Sequence, residues 1–147
     1  FAAAIYACFV DGICLDAFPL LANDCDNTSA CSWINVGCKT SLQGRALGRL
    51  FVGLLMKTKL GIQAEWISTK MNVIADEISR LYGVDGEYDY SQLLTDYPVL
   101  SNCRQFQPSD TLRTMLWDIL LKRASPDPLT VRRLKPSALG SLTSTAT

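Results

Sequence analysis

Apolar positions follow two rhythms along this chain. Between residues 42 and 57, Leu47, Leu50, Phe51, Leu54 and Leu55 recur three and four apart, the spacing that gathers side chains on one face of a helix. The same period returns in QPSDTLRTMLWDILLKR, where Leu112, Met115, Leu116, Ile119 and Leu120 form a stripe behind Ser109, a favoured helix cap. GIQAEWIS, 61–68, alternates instead: Ile62, Ala64 and Trp66 on one side, Gln63 and Glu65 on the other, which predicts a strand. PLLANDC, 19–25, is a short apolar run after a proline and predicts a buried strand.

Shorter signals fill the gaps. FAAAIYACFV, 1–10, suits a buried helix that runs until the Asp-Gly pair at 11 and 12. NTSACSWINVG predicts a short helix closed by Gly37. MNVIADEISRLYG predicts another, with Ile74, Ile78 and Leu81 as its apolar stripe and Gly83 as its end. Asn72, Asp76 and Arg80 succeed one another at four-residue steps on a different face of it. Gly44 and Gly48 permit close packing on the long helix, and nothing in the sequence demands more of them.

The order helix, strand, helix, helix, strand, helix indicates an α/β layered fold. It covers residues 1–83. Residues 84–107 form a polar, tyrosine-rich connector, and 108–136 a helical linker segment broken by SPDP at 125–128. Residues 137–147 are small and polar, and a disordered tail is expected there.

Bulk composition narrows this little. The chain has 147 residues, 48% hydrophobic and 19% charged, which suits one globular domain. Fourteen acids balance fourteen bases, so net charge points to no partner, although 111–136 is basic through Arg113, Lys122, Arg123, Arg132, Arg133 and Lys135. Six cysteines form no CxxC pair and there is no histidine, so they read as small core residues in a reducing, intracellular compartment. Ten apolar residues at the start are too few to span a bilayer and lack the basic start of a signal peptide. No membrane association is expected. Because it opens on Phe1 inside an apolar element, the chain reads as a piece of something longer.

Two acids occupy telling places. Asp26 ends the first predicted strand, and Asp76 lies on the helix after the second. If the strands pair, both carboxylates reach one sheet edge, where a divalent cation would relieve their repulsion. A plainer reading stands beside it. Asp26 or Asn27 also makes a good helix cap, and Asp76 with Arg80 an ordinary surface pair.

DCDNTSACSWINVGCKTS followed by IQAEWISTKMNVIADEISRL resembles the ribonuclease H domain of retroelement polyproteins, with the DIRS-like and gypsy-like reverse transcriptases most alike. Asp26, Asn27, Ala30, Trp33 and Ile34 match the first motif of that family; Asn72, Ala75, Asp76, Ser79 and Arg80 match the second. The likeness covers roughly residues 1–82. It implies a ribonuclease H-like mixed sheet flanked by helices, truncated at the N-terminus, with a C-terminal helical extension. It further implies hydrolysis of the RNA strand of RNA–DNA hybrids with two magnesium ions, as part of a polyprotein with an upstream reverse transcriptase. Asp26 and Asp76 match two of the family's four metal-holding carboxylates, with Asp24 second choice to Asp26. The likeness implies that Asn27, Asn72, Ser79 and Arg80 support them, and that Lys39, Arg45 and Lys70 meet phosphate charge. The other two carboxylates and three strands belong upstream of Phe1, so this chain by itself is expected to be inactive and prone to associate. WISTK departs from the family's turn, which often carries His and Gly. Two alternatives are a non-catalytic retroelement remnant that acts as a structural or nucleic-acid-binding module, and a helical interaction module over 104–136.

Overall fold

A computed structural model describes residues 20–81 and 90–143. The helix expected over 1–10, Cys8, Cys14 and Gly83 lie outside the described residues.

The first strand, β1 (Leu20–Cys25), pairs in parallel with β2 (Gly61–Trp66), in a register that sets Leu20 against Gly61 and Cys25 against Trp66. The crossover between them is two helices, α1 (Thr28–Val36) and α2 (Leu42–Thr58), as a parallel pair requires. Each has a side-chain cap. Asn27 Oδ1 accepts from the Ala30 N–H at 3.0 Å, and Ser41 Oγ accepts from the Gly44 N–H at 3.1 Å. Gly37 closes α1 at φ 83°, a conformation that costs glycine little.

β1 is not the buried strand its apolar run predicts. Leu20, Leu21 and Ala22 are exposed, because among the described residues no layer covers that end. On the far side of β2 a side chain stands where a third strand would. Asn35 Nδ2 donates to the Ala64 carbonyl and Asn35 Oδ1 accepts from the Ala64 N–H, both at 2.8 Å. In a parallel ladder a residue's N–H and C=O point the same way, so this amide takes the outer edge of β2.

Helix α3 (Val73–Leu81) follows β2, then α4 (Tyr90–Asp96), a 3₁₀ turn (Pro98–Asn102), β3 (Gln105–Pro108), α5 (Asp110–Leu120), α6 (Pro128–Arg133), a second 3₁₀ turn (Pro136–Ala138) and β4 (Gly140–Thr143). The connector expected over 84–107 thus holds a helix and most of a strand. The tail expected to be disordered is ordered as far as Thr143: β4 pairs antiparallel with β3, Phe106 opposite Leu142. Gly140, at φ 151°, makes this possible, since a Cβ there would strike the Gln107 carbonyl oxygen and the Phe106 ring.

The core is built by α2 with the C-terminal segment. Leu50 and Leu54 are fully buried, and Ala46, Leu112, Ile119, Val131 and Leu139 join them, with Phe51, Leu55, Ile62 and Phe106 packed around the edge. Ser109 ties this part together. Its hydroxyl accepts from the Leu112 N–H at 3.1 Å, which caps α5, and donates to the Ala138 carbonyl at 2.6 Å. Asp127 caps α6, accepting from the Thr130 N–H and hydroxyl, each at 3.0 Å; these bonds, the hydroxyl's first, hold its carboxyl below the usual range. Lys57 Nζ donates to the Leu134 carbonyl at 2.6 Å and fastens α6 to the last turn of α2. Leu120, expected in the α5 stripe, is exposed, because α2 covers a narrower strip of α5 than the sequence pattern marks.

Candidate functional site

The parallel pair fixes where the two acids go. Asp26 follows the last residue of β1 directly. Asp76 comes after β2, the turn over 67–72 and the start of α3, whose first turn it occupies. Both therefore leave the sheet at its C-terminal end. The backbone there is well braced. The Ile67 N–H donates to the Cys25 carbonyl at 3.0 Å, and Trp66 Nε1 donates to the Asp26 carbonyl at 3.1 Å. Trp66, expected to point inward with Ile62 and Ala64, is 57% exposed and serves instead as this strap.

Of the two caps the sequence allows, Asn27 is the one used. The Asp26 carboxylate takes no part in it. Asp26 is half-buried, and Asp24, the second choice, is exposed on β1. Asp24 stands opposite Glu65 in the strand register, so two like charges face each other there. Sequence reading passed over Glu65, since only the register reveals the juxtaposition.

At the other motif, the Met71 N–H donates to the Ser68 carbonyl at 2.8 Å and the Asn72 N–H to the Thr69 carbonyl at 3.1 Å, which makes a tight turn. The Asp76 N–H then donates to the Asn72 carbonyl at 3.0 Å, so Asn72 supports the first turn that carries Asp76. An open depression beside it is lined by Thr69, Lys70, Val73, Asp76 and Glu77. The expected apolar stripe of α3 is only half-buried at Ile74 and Ile78. The side chains of Ser79 and Arg80 lie outside the described residues.

Lys39, Arg45 and Lys70 are not gathered into one surface. Lys39 is exposed between α1 and α2, Arg45 lines a cleft against the end of α5, and Lys70 shares the depression with Asp76. Cysteine chemistry is also unpromising. Burial pushes the Cys31 thiol up from its ordinary 9.0, with the neighbouring Cys25 and the Asp26 charge adding to it, so it is a poor nucleophile. Among the described residues the cysteines form no disulfide; Cys31 is buried, Cys25 and Cys38 are half-buried, and Cys103 is exposed.

Among the described residues no three of His, Cys, Asp and Glu are gathered closely enough to hold a metal ion. Asp26 and Asp76 thus do not by themselves complete a magnesium site. No helix of the described residues is long and apolar enough to cross a membrane. No protein-family model, curated protein or solved structure matches the chain.

A polar link ties α3 to the segment after it. The Tyr97 hydroxyl donates to Glu77 Oε2, next to Asp76 in sequence. That bond first, and then burial, raises the phenol above its ordinary 10.0. The unfolded phenol therefore ionises before the folded one. The bond supports the fold below pH 10 and is lost as pH climbs through the folded value. We expect one late-titrating tyrosine in an alkaline absorbance titration, absent from Tyr97→Phe. Identical titrations of the two proteins would show that the bond does not form in solution.

Proposed function

We propose that this chain is the C-terminal part of a ribonuclease H-like domain in a retroelement reverse transcriptase polyprotein. The polyprotein hydrolyses the RNA strand of RNA–DNA hybrids, inside the cell, in cytoplasm or nucleus. The observation that carries this reading is the crossover: two parallel strands, with Asp26 at the end of one and Asp76 in the first turn of the helix after the other. In the family the motifs resemble, carboxylates so placed hold magnesium, and bound metal activates water for in-line phosphate displacement. This chain contributes two of them.

Its own residues have plainer tasks. Asn27 caps α1 and leaves the neighbouring carboxylate out of the cap. Asn72 fixes the turn that presents Asp76. Lys70, in the same depression as Asp76, supplies a positive charge for a phosphate.

Cleavage of a labelled RNA–DNA hybrid in magnesium, by the parent polyprotein and its Asp26→Asn and Asp76→Asn variants, tests the assignment. Each substitution is expected to slow cleavage at least tenfold, about 1.4 kcal/mol of barrier. An unchanged rate for Asp76→Asn removes that residue from the site. A parent polyprotein that binds the hybrid and never cuts it favours the alternative, a non-catalytic remnant that binds nucleic acid.

A further inference from the structure

We propose that the cleft between α2 and the turn after α5 binds the phosphate backbone of a single-stranded nucleic acid, with Trp33 beside it as a stacking platform. The site stands on the cleft itself. The proposed function bears only on why the polyanion should be a nucleic acid.

One wall is α2, where Arg45 and Arg49 sit one helical turn apart, about 6 Å along the axis. The opposite wall is the turn that ends α5, which brings Lys122 and Arg123 to the same cleft. All four side chains are exposed. The floor between them is apolar, made by the buried Ala46 and Ile119. No acid lines the cleft, and among the described residues none of the four cations is engaged in an ion pair.

The turn is shaped to hold two cations there. Lys122 adopts φ 61°, a left-handed conformation uncommon for a residue with a side chain. The chain then folds back, so that the Arg123 and Ala124 N–H groups both donate to the Asp118 carbonyl, at 2.7 and 3.3 Å. Arg49 Nη1 donates to Ser125 Oγ at 3.2 Å and anchors the turn to α2. That bond uses one of five guanidinium donors and leaves the rest for a ligand.

Four like charges held in one concavity repel each other until a polyanion enters, and a cleft concentrates their field. A single phosphate needs one or two such groups. Cations on two facing walls suit a run of phosphates along a strand. A lipid surface is flat and would meet a raised basic face, whereas this one is recessed. The aromatic neighbour points the same way. Arg45 and Arg49 also line the adjoining depression, which contains Trp33, 43% exposed. Phosphate-binding cations next to an open indole are the two parts of a single-strand platform.

The test is the binding of a fluorescent oligothymidylate to the whole chain in EDTA, read by anisotropy across a sodium chloride series. Because no divalent metal is present and no cleavage is read, the result does not depend on the nuclease assignment. Single strands lose affinity with a slope of about 0.7 per phosphate contact, so Lys122→Gln/Arg123→Gln is expected to flatten the slope by about 1.4. Trp33→Ala is expected to weaken binding roughly tenfold with the slope unchanged. Arg132→Gln/Lys135→Gln, with the same change in net charge on α6 and beyond, serves as control. An unaltered slope in Lys122→Gln/Arg123→Gln, or an equal flattening in the control, overturns the site. So does binding to phosphatidylserine vesicles without binding to the oligonucleotide. Unchanged affinity in Trp33→Ala overturns the stacking platform. Circular dichroism of each variant, expected to match the parent, ties any loss to the exposed side chains replaced.

Discussion

Leu54→Ala is expected to remove about 2–5 kcal/mol of stability, a large share of what a domain of this size holds. Leu54 is fully buried on α2, at the centre of the cluster that Leu112, Ile119, Val131 and Leu139 complete from the other side. Alanine would lose the transfer free energy of the deleted atoms and leave a hollow that rigid helices refill poorly. The cost should fall towards the upper end, because α2 packs against α5 and α6 together and cannot settle onto one without leaving the other. Urea denaturation of the whole chain would measure it. A midpoint within error of the parent would mean that α2 is not the centre of the core.

Gly53→Val is expected to cost about 3 kcal/mol by the opposite route, overpacking. A Cβ at Gly53 would lie 2.6 Å from Val131 Cβ and 2.8 Å from the Pro128 carbonyl oxygen. The carbonyl belongs to the backbone of α6 and cannot turn aside, so the helix must lift. Lifting it exposes Val131 and strains the Lys57 bond to the Leu134 carbonyl. The signature should be local before it is global: faster proteolysis in the stretch joining α5 to α6, with α2 still folded. Gly48→Val is the matched control, since a Cβ there meets nothing within 4 Å. Equal effects at the two glycines would refute the close helix contact.

That pair of glycines shows how far the sequence could be read. Nothing local separates Gly48 from Gly53; Val131, far along the chain, does. The extent of α2 and the start of α5 were legible within a residue or so, because long apolar periods bury one face whatever lies opposite, while α5 ends at Leu120, short of the SPDP break. The caps at Ser109 and Gly37 were legible too, being short-range chemistry, while at the start of α1 the sequence left Asp26 and Asn27 as alternatives. Burial of β1 was misjudged for a related reason. An apolar run states what a strand would prefer to touch, and only the fold states what covers it. Asp26 and Asp76 were singled out through a pairing of motifs, and both follow strands of the one parallel pair at its C-terminal end. The cleft of Arg45, Arg49, Lys122 and Arg123 was half visible. The basic run after α5 stood out, but nothing in it announced that a left-handed Lys122 would turn it towards α2.

The amide of Asn35 has a consequence for how copies of this chain can meet. By occupying both hydrogen-bonding groups of Ala64, it blunts one flank of the parallel pair. Among the described residues no strand lies on the other flank, along β1. A sheet with two open flanks can add molecules without end. A sheet with one can join a single partner, flank to flank about a twofold axis, and stops there. Taken among the described residues alone, then, self-association through these two strands closes at a pair and does not run on into a filament. An asparagine that contributes nothing to the apolar core sets that limit.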